Sequence, residues 1–204
     1  MKNVFRMLFL FIVLNLGFTA IARGDEDDLK HYVVRLRTLY VMPTEEFDNR
    51  LSSSKLEITN NVTGELDLEY YFTKYISSEL IAGVTRHEIL AKGGTVLGST
   101  WLLPPSITVK YHPFPSAKVS PYIGGGIELT FPFSPKMTGH PDFSVDQSVG
   151  WAAQTGVDIA LKDNLYFNLD YKYLNADTKF RLDGDKYRVD LNPHVFGVGV
   201  GYRF

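Results

Sequence analysis

From about residue 31 to Phe204 the chain alternates apolar and polar residues with a period of two, segment after segment, which limits it to β structure with two chemically opposite faces. Eight such segments stand near 31–42, 64–72, 76–86, 105–112, 119–131, 148–161, 165–175 and 187–204. Each is about as long as a strand that crosses a membrane. Val34, Leu36 and Tyr40 oppose Arg35 and Arg37 in the first, and Leu66, Leu68, Tyr70 and Phe72 oppose Glu65, Asp67, Glu69 and Tyr71 in the second. Ile107, Val109 and Tyr111 oppose Thr108, Lys110 and His112; Ile123, Ile127, Leu129 and Phe131 oppose Gly124, Gly126 and Glu128. Val149, Trp151, Val157 and Ile159 oppose Gly150, Gln154 and Asp158, and Leu165, Phe167, Leu169, Tyr171 and Tyr173 oppose Asn168, Asp170 and Lys172. The segment 76–86 alternates least well. The last one, "HVFGVGVGYRF", sets Phe196, Val198, Val200 and Tyr202 against Gly197, Gly199, Gly201 and Arg203.

The connections follow their own rule. Those at 73–75, 113–117 and 162–164 are tight, whereas 43–63, 87–104, 132–147 and 176–186 are long and polar or rich in Gly and Pro. Strict exchange of short and long connections is the grammar of an outer-membrane barrel, with short turns at the periplasmic rim and long loops outside. After residue 22 no stretch offers the eighteen or so apolar residues of a membrane helix. The chain is therefore read as all-β, an eight-stranded antiparallel up-and-down transmembrane β-barrel. Its apolar face meets lipid, and the glycines of the last strand face a narrow lumen where neighbouring side chains need room. Tyr202, Phe204, Phe72, Tyr111 and Phe167 fall near the short turns and Tyr40, Phe131, Trp151 and Tyr173 near the long loops, as two aromatic girdles. A secreted lipocalin-like barrel also alternates, but it hides its apolar face inside and has no need of a terminal aromatic.

The N-terminus carries Lys2 and Arg6, then "MLFLFIVLNLGFTA" ending in Ala20-Ile21-Ala22, the pattern of a secretory signal peptide over 1–22. Its removal takes the basic residues from 21 to 19 against 23 acids, a formal charge of −4, which leaves no basic excess for nucleic acid. The mature barrel is expected over 23–204. With no cysteine, disulfides and thiolate metal sites are excluded.

The stretches "LPPSITVKYHPFP" (103–115), "SPYIGGGI" (120–127), "GVDIALKDNLYFNLDYKYLNADT" (156–178) and "VDLNPHVFGVGVGYRF" (189–204) resemble the outer membrane protein W family of Gram-negative bacteria over nearly the whole mature chain. The resemblance implies a barrel in the bacterial outer membrane that passes small, largely hydrophobic compounds, in part by lateral exit through its wall. It also implies that Phe204 and Tyr202 form the signal read by the barrel-assembly machinery. The alternative is a structural, adhesive or receptor barrel whose extracellular loops bind a partner.

The inward charges Arg35, Arg37, Asp67, Glu69, Lys110, Asp158, Asp170 and Lys172 are expected to form a lumen network, with Arg35 and Arg37 facing Asp67 and Glu69. Such a network either plugs the barrel or lines a polar gate. The loop residues Leu90, Val96, Leu97, Trp101 and Leu102 form a candidate apolar mouth, or else pack the loops onto the rim. The small residues Gly124, Gly126, Gly150 and Gly156 place free volume beside the fifth and sixth strands. Histidines 31, 87, 112, 140 and 194 lack zinc-binding spacing, so no metal and no cofactor are expected. Ser106 with His112 or His194 is the one arrangement reminiscent of a hydrolase, without a nucleophile signature, and the chain is read as no enzyme. The acidic run 25–28 lacks calcium-loop spacing, and Asn61-Val62-Thr63 matches a glycosylation acceptor only by pattern. Expected partners are membrane lipid, the assembly machinery and small hydrophobic solutes, with the barrel a monomer.

Overall fold

The computed structural model describes residues 30–47, 56–91 and 93–204. The predicted signal peptide and the acidic run lie outside them. The strands are β1 (Tyr32–Met42), β2 (Glu45–Phe47), β3 (Glu57–Ile58), β4 (Asn61–Tyr71), β5 (Ile76–Gly83), β6 (Thr85–Leu90), β7 (Val96–Leu103), β8 (Ser106–Tyr111), β9 (Val119–Met137), β10 (Ser144–Val145), β11 (Ser148–Lys162), β12 (Leu165–Leu182), β13 (Asp185–Leu191) and β14 (His194–Arg203). β1, β4, β5, β8, β9, β11, β12 and β14 pair antiparallel in that order, and β14 pairs back onto β1. The eight-stranded barrel is thus closed, and its backbone polar groups are satisfied within the wall.

The two faces are inverted relative to a water-soluble barrel. Leu36 is 61% exposed on the outside while its neighbours Arg35 and Arg37 are 1% exposed within. Val62, Leu66, Val109, Ile123, Ile127, Val149 and Val200 repeat the exposed apolar exterior, a surface that only lipid can cover without penalty. Around the short-turn end Tyr32 stacks on Phe204, Tyr70 meets Tyr32 and Phe72 edge-on, and Tyr202 stacks on Phe204. Around the other end Trp151 lies 5.5 Å from Tyr173. Phe131, expected in that upper girdle, is instead buried where β9 pairs with Leu103 of β7.

Two sequence expectations are corrected here. The eighth segment is two strands, β13 and β14, separated at Asn192–Pro193. The long connections are largely strand as well. β9 and β12 run on past the barrel wall, and β3, β6, β7 and β9 form one extension while β2, β10, β12 and β13 form the other. In the second extension the Asp183-Gly184 pair makes a two-residue turn with both residues at positive φ, 53° and 89°. That is the geometry which keeps paired strands twisted in register beyond a membrane.

The bare face of β14 is explained by what crosses it. A Cβ on Gly199 would lie 2.2 Å from the Leu36 carbonyl oxygen and 2.9 Å from Arg37 Cγ, and one on Gly201 would lie 2.9 Å from Arg35 Cγ. The two arginine stems rest against the strand where other residues would put side chains. Gly126 of β9 is tighter still, with a Cβ position 1.8 Å from the Ile107 carbonyl. Gly126→Val should therefore abolish most of the heat-modifiable folded barrel, whereas Gly64→Val, whose Cβ would meet no atom within 4 Å on the outer face, should fold at wild-type level in the same gel-shift assay.

Candidate functional site

Along β1 the inward residues read Val33, Arg35, Arg37, Leu39 and Val41 from the short-turn end upward, and the lumen follows that order. The arginines and their partners fill its middle. Arg35 reaches Glu69, Asp158 Oδ2 at 2.7 Å and Glu79 Oε1 at 3.3 Å. Arg37 donates to Asp67 Oδ2 at 2.5 Å, to Glu65 and Glu79 at 3.1 Å each, and through Nε to Asn168 Oδ1 at 2.6 Å. Lys110 sits between Glu69 and Glu79 at 3.2 and 3.5 Å, with its ammonium 3.9 Å above the Tyr122 ring. Lys172 binds Glu65 at 2.5 Å and Asp170 at 3.2 Å. Tyr122 and Gln154 complete the layer, donating to Asp170 at 2.6 Å and to Glu79 at 3.0 Å. All these side chains are buried. Beneath them Tyr71, His112 and Ser120 are buried too, and Arg203 lies 3.9 Å over the Tyr71 ring.

Above the ion layer the lining turns apolar. A cavity of about 140 Å³ opens between the two strand extensions, walled by Leu39, Val41, Ile89, Leu174, Phe180 and Val195 among others, with Glu65, Ser106, Glu128, Thr130 and Lys172 at its polar margin. An apolar cavity of that order of size takes one small hydrophobic molecule. His87, in the β6 extension, also borders it. Burial holds its imidazole below the ordinary histidine value. Its Nδ1 lies 2.8 Å from the Thr59 carbonyl, which only accepts, so Nδ1 carries the proton and Nε2 accepts from the Thr85 hydroxyl at 3.1 Å.

The OmpW family model matches residues 31–204. The chain belongs to the OmpW family. It is 32% identical to outer membrane protein W of Vibrio cholerae over 192 residues, covering 85% of this chain and 88% of that one. It is also 32% identical to outer membrane protein W of Escherichia coli over 186 residues, with the same coverage of each. The fold is that of the outer membrane protein OprG from Pseudomonas aeruginosa, at a TM-score of 0.77 and 24% identity over 87% of this chain and 99% of that one. The outer membrane protein AlkL gives 0.70 at 18% identity over 89% of this chain and 93% of that one. This is an outer-membrane barrel of the OmpW type; barrels of this kind carry their long hairpins on the extracellular side.

Within this OmpW-family barrel all eight inward charges expected from the sequence lie in the one buried layer, and the layer holds more carboxylates than those eight residues supply. Arg35 meets Glu69 and Arg37 meets Asp67, while Glu79, which the sequence reading passed over, joins Arg35, Arg37, Lys110 and Gln154 at the centre. The signal was present in Ser77 and Glu79 facing inward, masked because the next inward residue is Ile81. The expected mouth is corrected more deeply. Of its five residues only Leu102 lines the cavity; Trp101 is 40% exposed and stacks on Phe133, Val96 is exposed, and Leu90 and Leu97 are half-buried away from the lining. Strand parity excludes Trp101, which stands opposite in face to Leu102. The volume expected beside the glycines is also occupied, by Lys110 and Gln154 against Gly124 and by the Tyr122 hydroxyl against Gly156. Ser106 is not brought to either histidine. His112 contacts Ser77 and Glu69 through one and the same nitrogen, and His194 contacts Tyr171. Tyr202 and Phe204 are exposed to lipid, with the Phe204 amide bonded to the Tyr32 carbonyl at the closing seam.

Removing one member of a buried ion cluster strands the rest. Arg37→Ala should cost about 3–5 kcal/mol in equilibrium urea unfolding from lipid vesicles, and Arg37→Ala with Asp67→Ala should cost less than the two single changes added together. Strictly additive losses would remove the pairing.

Proposed function

We propose that this barrel accepts small apolar or amphipathic molecules from the outside into the cavity and releases them sideways into the outer membrane. The vertical order of the lumen carries the reading: an apolar chamber stacked directly on a layer of buried ion pairs. A hydrophobic solute gains free energy by leaving water for the chamber. Moving farther down would separate Arg37 and Lys172 from their carboxylates with nothing to replace them, a cost of several kcal/mol per uncompensated charge. Ions meet the reverse obstacle, an apolar chamber before the polar layer. Passage through the wall leaves both intact.

The wall beside the chamber supports this route. The β5–β8 ladder ends at Ile81 and Ser106, and the residues that follow toward the outside are Pro105 and Pro104, which have no N–H to donate. On the other edge of β5 the β4 ladder ends at Glu65 and Gly83, above which the side chains of Thr63 and Asn61 reach the Val84 and Arg86 carbonyls in place of backbone pairing. Separating strands there breaks fewer backbone hydrogen bonds than elsewhere in the barrel. No step of this passage calls for a cofactor or a covalent reaction.

Entry of a membrane-partitioning fluorescent probe into cells tests the reading at matched barrel levels. Wild type should raise the entry rate several-fold over cells lacking the barrel, Leu102→Trp, which fills the chamber, should return it toward that background, and Trp101→Asp on the outer face should leave it unchanged. Entry equal with and without the barrel, or large steady ion conductance in planar bilayers, would contradict it and favour a barrel whose loops bind a partner.

A further inference from the structure

The polar groups bordering the chamber have their needs met internally, with one exception. His87 is bonded through both nitrogens, Glu65 is held by Lys172 and Arg37, and Thr178 donates to the Asp146 carbonyl. Glu128 differs. Its side chain is fully buried, Oε1 accepts from the Thr130 hydroxyl at 2.6 Å, and Oε2 has no hydrogen-bond partner. Among the described residues no cation pairs with it. The oxygen occupies room left by Gly150, its register partner on β11, where a Cβ would come within 3.2 Å of Oε2. A buried polar atom without a partner costs free energy, and at the border of a binding chamber a ligand can supply the partner.

The surroundings decide what kind of partner. Arg35 and Arg37 are each shared among three carboxylates, and Lys110 and Lys172 between two, so none of these four cations is spare for Glu128. Six carboxylates of the layer, Glu65, Asp67, Glu69, Glu79, Asp158 and Asp170, already outnumber them. His87 adds no positive charge near neutral pH, because burial keeps its ring in the neutral form. The open end of the lumen is therefore rich in acceptors and lean in positive charge.

We infer that Glu128 is the head-group site of the chamber and selects amphipathic molecules with a primary ammonium head over those of equal chain length with a hydroxyl or carboxylate head. This rests on the proposal that the chamber receives such solutes. The ammonium brings N–H donors to Oε2 together with the missing positive charge, and its tail lies among Leu39, Val41, Leu174 and Val195. A hydroxyl brings one donor without charge. A carboxylate brings only acceptors and negative charge, and is repelled.

Calorimetric titration of the full barrel in lipid nanodiscs with hexylamine, hexanol and hexanoate at neutral pH, each corrected for partition into empty discs, tests the assignment. Hexylamine should bind wild type about tenfold more tightly than hexanol, with hexanoate weakest. Glu128→Gln should collapse the preference, bringing the ratio of hexylamine to hexanol affinity to about one. Glu128→Asp, which keeps the carboxyl group but withdraws it by one methylene, should reduce the preference in part and serves if the glutamine variant folds poorly. An amine no tighter than the alcohol on wild type, or a ratio that neither change moves, overturns the head-group site. If hexanol binds and Leu102→Trp removes it while the ratio ignores Glu128, the chamber stands and only this inference falls. If none of the three binds, both fall together.

Discussion

The buried salt bridges of Arg35 and Arg37 are the interaction on which the rest of the barrel depends. From one strand they reach carboxylates on β4, β5 and β11 and an amide on β12, so they tie the wall together across the lumen as well as around it. Charges without water must find partners, and each partner takes space. That requirement empties β14 of side chains at Gly199 and Gly201, against which the arginine stems lie. It also explains why so narrow a barrel is a filled rod through its middle.

Once the middle is filled, the ends acquire different characters. Toward the short turns the lumen is closed by Tyr71, His112 and Arg203 packed on one another. Toward the long hairpins the inward residues become Leu39, Val41, Ala152, Leu174 and Val195, a small apolar cluster that cannot pack to the axis and leaves a chamber. The strand extensions above wall that chamber with Phe180, Val189 and Phe143. The proposed capture from outside rests on this amphipathic lumen, apolar above and ionic below.

The barrel itself was legible in the sequence because lipid outside and charge inside impose one simple rule on every strand, and residues such as Arg35-Leu36-Arg37 obey it without exception. The rule fails where the interior itself turns apolar. There both faces are hydrophobic, alternation fades, and parity is lost: Ile81 masks Glu79, and nothing in the sequence separates the outward Trp101 from its chamber-lining neighbour Leu102. The extensions are hidden in the sequence for a related reason, since strands standing in water carry charges such as Lys179, Arg181 and Lys186 on their outer faces and so resemble loops. The order Val33, Arg35, Arg37, Leu39, Val41 was nonetheless a readable map of the lumen from bottom to top. The unpartnered oxygen of Glu128 had no counterpart in the sequence, because it depends on Gly150 standing opposite in register.

The central claim is that a solute reaches the chamber but never the lumen below the ion layer. Photolabelling of the barrel in lipid vesicles with a small apolar diazirine, followed by peptide mass spectrometry, tests it most directly. The account predicts labels on chamber residues such as Leu174 and Val195 and on lipid-facing side chains, with none on Ser77, His112 or Ser120 beneath the salt bridges. Labels on those three residues in the folded wild-type barrel would show a continuous axial path and contradict it.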